Sequence, residues 1–150
     1  LWYDDGVVRK RQKQLISELM YPFSSTGIVE YFEDYCVLNI DQGISDYYRS
    51  MIPKSFYVKP QKKKAHITIV RKGKEKVESY ETWGRHSGRI LTFDYSPIIQ
   101  NDDTYFWLNL VCSEIGEIRK ELGLNEYRDD TYFGGLKRNC YHITIGNIKK

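Results

Sequence analysis

Val8, Leu15, Ile16, Leu19 and Met20 recur at helical spacing, and Arg9, Lys10, Arg11 and Lys13 fill the other side, which predicts an amphipathic helix over residues 7–20. Pro22 and the Ser24-Ser25-Thr26-Gly27 cluster end it. Tyr35, Val37 and Asn39 then alternate with Cys36, Leu38 and Ile40, the period of a strand over 35–40. A short helix over 44–52 stops at Pro53, and the next strand is 65–71. Residues 72–88 are polar and punctuated by glycine, so they read as a loop or a loose helix. A hairpin follows, with arms 90–99 and 105–112 joined by Asn101-Asp102-Asp103. Ser113 is placed to cap a helix that Gly123 terminates, and 141–148 is the last strand.

This order contains a repeat. Val37-Leu38-Asn39, a helix and His66-Ile67-Thr68-Ile69 are matched by Trp107-Leu108-Asn109, a helix and His142-Ile143-Thr144-Ile145. Two similar lobes are therefore expected. At 150 residues the chain is expected to form a single domain, 1–150.

The repeat also carries the candidate chemistry. One H-x-T tripeptide means little, but the chain has only three histidines, and a second one followed by Ile-Thr-Ile arises by chance on the order of once in a thousand. On a strand, His66 and Thr68 share one face and Ile67 and Ile69 the other; the same holds for His142 and Thr144. Two imidazoles, with an ordinary pKa near 6.5, can hold opposite protonation states near neutrality and act as base and acid on a phosphodiester. The two threonine hydroxyls can donate to nonbridging phosphate oxygens. His66, Thr68, His142 and Thr144 are thus the candidate catalytic set, and no metal or cofactor is needed. Taken singly, each histidine could instead be a strand residue satisfied by a carbonyl. A zinc site using a cysteine finds no support in the ligand spacing.

Composition changes the picture in three places. Hydrophobic residues at 41% and charged residues at 29% fit a globular chain with a core, and no apolar run nears the roughly 18 residues of a membrane span. Cys36, Cys112 and Cys140 are odd in number, form no C-x-x-C pair and lie in apolar stretches, so they read as buried thiols. With no apolar leader after Leu1, a cytoplasmic location is the expectation. Net charge is only +3, yet residues 54–76 hold nine Lys or Arg against Glu75 alone. A field of that sign draws in polyanions. Nucleobases need aromatic platforms; Tyr3 and Trp83 are the candidates because neither sits in an apolar pattern, and Arg71 is a candidate phosphate contact. His86, between glycines, reads as a surface histidine.

The paired motifs His66-Ile67-Thr68 and His142-Ile143-Thr144 resemble the signature of the 2H phosphoesterase superfamily, over about residues 35–147. That resemblance implies metal-independent cleavage of nucleotide phosphodiesters by a two-lobed, duplicated α+β fold, with antiparallel sheets around a central cleft and helices on the outer faces. The stretch Tyr47-Tyr48-Arg49-Ser50-Met51-Ile52-Pro53-Lys54, with Pro60-Gln61 and Ala65 to Lys72, looks like the phage group whose members act as anti-CBASS phosphodiesterases. The implied substrate is a cyclic di- or trinucleotide second messenger of host antiviral signalling, cleaved in the host cytoplasm. Two alternatives stay open: a 2′,5′-oligoadenylate or RNA-end phosphodiesterase of the same superfamily, and a non-catalytic nucleic-acid-binding module using the Lys62-Lys63-Lys64 region. Neither a membrane nor an obligate protein partner is expected.

Overall fold

The computed structural model describes residues 5–128, 132–133, 136–137 and 139–150. Helix α1 (Asp5–Met20) leads into strands β1 (Phe23–Tyr31) and β2 (Cys36–Ile40), then α2 (Gln42–Ser50) and a 3-10 turn (Lys54–Phe56). β3 (His66–Val70), β4 (Ile90–Asn101), β5 (Tyr105–Val111) and α3 (Ser113–Glu121) follow. The short strands β6 (Tyr132–Phe133) and β7 (Leu136–Lys137) pair with each other ahead of β8 (Tyr141–Asn147).

Six strands close in the order β1-β2-β3-β8-β5-β4, and every pairing is antiparallel. This corrects the expected architecture: the chain does not form two duplicated α+β lobes around a cleft. The two motif strands pair directly, Ile67 opposite Ile143, and β1 pairs with β4 on the far side. Closure satisfies the N–H and C=O groups that two open sheets would leave along their edges. The repeat itself survives as matched register. Asn39 faces His66 and Leu38 faces Ile67; Asn109 faces His142 and Leu108 faces Ile143.

Each of the six barrel strands contributes to one apolar cluster, through Val29, Leu38, Ile67, Phe93, Leu108 and Ile143 among others, and α3 adds Ile115 and Ile118. α2 packs on β8 and α3 on β3. Arg49 of α2 donates from Nη1 to the Ile145 carbonyl at 3.2 Å, which ties the helix to the second motif strand. All three cysteines are buried and none is joined in a disulfide among the described residues, and burial pushes the Cys36 thiol up to about 12, so it stays protonated. Among the described residues, no helix is long and apolar enough to cross a membrane.

Three local expectations need revision. β1 occupies the segment read as a helix terminator; its burial alternates from Ser25 to Tyr31, but Gly27 is buried while Phe23 and Ile28 are exposed, so the alternation does not show as an apolar period in the sequence. α1 forms where its spacing predicts, but Leu15, Ile16 and Leu19 are exposed, since helical periodicity sets a face without supplying a surface to cover it. Ser113 is the first residue of α3; Cys112 holds the capping position and makes no side-chain cap bond. The hairpin turn follows its chemistry: Asp102 Oδ1 accepts the N–H groups of Thr104 at 2.8 Å and Tyr105 at 2.6 Å.

Barrel curvature imposes one close approach. Gly27 faces Ile40, and a Cβ at this position would lie 2.7 Å from the Asn39 carbonyl oxygen and 2.6 Å from Leu38 Cγ. Gly27→Ala is expected to cost about 1–3 kcal/mol, because a backbone oxygen cannot rotate away as a side chain does. Urea unfolding should show a lower midpoint at an unchanged slope. An unchanged midpoint would mean that β1 and β2 are not held this closely.

Candidate active site

In β3 and β8 the isoleucines turn into the core and are fully buried, so the residues between them, all half-buried, lie on the opposite face of the wall. With Ile67 paired to Ile143, antiparallel register sets His66 across from Thr144 and Thr68 across from His142. Directly opposed residues have Cβ atoms about 4.5–5.5 Å apart, and the diagonal pair His66 and His142 falls at roughly 7–8 Å. The sequence-predicted four therefore occupy the corners of one small patch.

The flanking strands extend this patch into two rows. One runs Asn39, His66, Thr144, Trp107, and the other Glu30, Val37, Thr68, His142, Asn109. His66 Nδ1 lies 2.7 Å from the Lys64 carbonyl oxygen, a contact that requires the proton on Nδ1 and leaves Nε2 for proton transfer. The His142 ring meets the Trp107 indole edge-on at 6.5 Å between centroids, and Trp107 Nε1 donates to Asn109 Oδ1 at 3.0 Å.

A cavity of about 510 Å³ opens over one side of this patch, with His66 and Thr68 in its lining; His142 and Thr144 lie beside it, across the β3/β8 pair. Its described lining carries six cationic side chains, Lys63, Lys64, Arg71, Lys72, Lys74 and Arg128, against one acid, Glu30. Most of the cations belong to the basic window around the first motif, so the charge asymmetry along the chain becomes a positive wall. Arg71 is in that wall.

The aromatic candidates fare differently. Trp83 does not line the cavity. Its ring packs edge-on against Tyr31 at 5.1 Å and beside Tyr80 at 5.4 Å, and Nε1 donates to the Phe32 carbonyl at 3.1 Å, so it serves packing instead of a base. Tyr3 lies outside the described residues. His86 is not a free surface histidine either: its side chain is only 12% exposed, and Nε2 sits 2.9 Å from Glu121 Oε2. Among the described residues the rings at the cavity are instead Phe32 and Tyr35, parallel within 5° at 4.3 Å, with the ammonium groups of Lys63 and Lys72 at 5.3 and 5.5 Å from the Tyr35 centroid. Tyr35 shares the strand alternation of Val37 and Asn39, which is the signal that could have found it.

One supporting element lies away from the motif strands in sequence. Arg119, 1% exposed, donates from Nη2 to Glu75 Oε1 at 2.7 Å, from Nη1 to the Ile69 carbonyl at 2.7 Å and from Nε to the Asn125 carbonyl at 2.8 Å. Glu75 Oε2 in turn accepts the Arg71 N–H at 2.9 Å. This clamp joins α3 to the end of β3 and to the loop carrying Lys72 and Lys74. Among the described residues, no group of three or more His, Cys, Asp or Glu is arranged to hold a metal ion. Compared with known proteins, the chain matches no family model, no curated protein and no solved structure.

Proposed function

We propose that the protein is a nucleotide phosphodiesterase that works with paired histidines and without a metal, as its resemblance to the 2H phosphoesterases implies. The observation that carries this reading is the β3/β8 register, which puts two imidazoles and two hydroxyls on one face next to a cationic cavity. For a 3′,5′ linkage, one imidazole takes the proton of the substrate's 2′-hydroxyl as that oxygen attacks phosphorus. The other gives a proton to the departing 5′-oxygen, leaving a 2′,3′-cyclic phosphate. Thr68 and Thr144 donate to the nonbridging oxygens, where negative charge grows in the transition state. Nε2 of His66 is the proton-transfer atom, because Nδ1 is committed to the Lys64 carbonyl.

A cavity near 510 Å³ is within the range of small-ligand sites, which favours a cyclic di- or trinucleotide or a short oligonucleotide over a long strand. The same reading carries a cytoplasmic setting, in keeping with three cysteines outside any disulfide among the described residues. The test is incubation with cyclic dinucleotides, a cyclic trinucleotide, 2′,5′-oligoadenylate and a short RNA, all in EDTA. Cleavage of the cyclic or short substrates in EDTA is expected. Tight, steeply salt-dependent binding to RNA with no cleavage of any substrate would overturn the reading and leave a binding module instead.

A further inference from the structure

We infer that the cavity selects a guanine base, with Glu30 as the group that reads it; this rests on the nucleotide-cleaving reading of the same site. Glu30 is the anomaly among the described lining residues. A wall built only to hold phosphate gains nothing from a carboxylate, which repels the anion the six surrounding cations attract. The carboxylate is also aimed. Asn39 Nδ2 donates to its Oε1 at 2.9 Å, and Asn39 itself stands opposite His66.

An ionised carboxylate only accepts hydrogen bonds. Of the four common bases, guanine alone presents two adjacent donors, N1–H and the N2 amino group, on its pairing edge. Adenine and cytosine each set a ring-nitrogen acceptor beside their amino group, which would face the carboxylate with a lone pair, and uracil offers one N–H between two carbonyls. The spacing agrees with a nucleotide laid across the strands. Glu30, Val37 and Thr68 form one row, so Glu30 stands two strand spacings, about 10 Å, from the phosphate-facing Thr68. That is the reach from a phosphate to the far edge of the base on the same nucleoside. Phe32, stacked on Tyr35 and 38% exposed, supplies a flat surface on which the base ring can lie regardless of its identity.

The experiment is calorimetric titration of the protein with GMP and with AMP, which contain no phosphodiester to cleave and so report recognition without turnover. GMP should bind at least about tenfold tighter than AMP. Glu30→Gln, which replaces one acceptor oxygen by a donor, should bring the two affinities together, while Phe32→Ala should weaken both by the same factor and keep their ratio. Equal affinities in the unaltered protein, a preference that survives Glu30→Gln, or failure to bind either nucleotide would overturn the inference. Cleavage of substrates containing each base at equal rates would remove guanine selection and leave the phosphodiesterase reading intact. A GMP preference lost in Glu30→Gln, in a protein that cleaves nothing, would do the reverse.

Discussion

His66→Ala and His142→Ala should each lower turnover of a nucleotide phosphodiester by about 10²–10⁴-fold, the usual worth of a positioned acid or base. Either ring is half-buried on the face of its strand opposite the core, so truncation removes no core packing, and both variants should fold with unchanged far-ultraviolet circular dichroism. The double variant should be little worse than either single one, because an acid and a base that act in the same step fail together. The unaltered protein should give a bell-shaped rate profile against pH, since one imidazole must be neutral while the other is charged. Each single variant should lose one limb of that bell. Full activity in either variant, or a loss restored by adding a divalent metal, would remove the histidine pair from the chemistry.

The legible part of this molecule was local. Alternation located β2, β3, β5 and β8 to within a residue or two, and the H-x-T repeat identified four side chains that the register then gathers on one patch. Closure of the barrel was not legible, because it depends on β1 meeting β4 and β3 meeting β8 across long stretches of chain, and no residue in those strands announces its partner. Ile67 and Ile143, on the face opposite the motif residues, meet as a cross-strand pair, and their alternation is equally consistent with two lobes or with one barrel. Trp83 shows a second limit. An aromatic ring outside an apolar pattern looks exposed, yet Tyr31, Tyr80 and one carbonyl suffice to hold it. Glu30 and Phe32 escaped notice for the opposite reason. Each is ordinary in its own segment and acquires meaning only beside lysines from a distant loop.

Arg119→Met should destabilise the protein by about 3–5 kcal/mol, the cost of leaving one half of a buried ion pair behind. The spacing of α3 suggests only a cation at the negative end of a helix, worth a few tenths of a kcal/mol up to about 1. The structure gives Arg119 a heavier duty: its side chain is 2% exposed, and its guanidinium satisfies Glu75 and two backbone carbonyls. Removing it strands a carboxylate whose side chain is 14% exposed and opens the contact that fixes the end of β3. Urea unfolding should read the loss as a lower midpoint. Arg119→Met combined with Glu75→Leu should recover a substantial part of it, because no unpaired charge then remains buried. Recovery of stability without recovery of substrate affinity is the informative outcome. Glu75 also holds the Arg71 N–H, so the double variant folds without the tether that positions the cationic loop at the cavity, and its KM should rise while kcat at saturation stays close to that of the unaltered protein. A double variant with unchanged KM would reduce the clamp to a stability element with no part in binding.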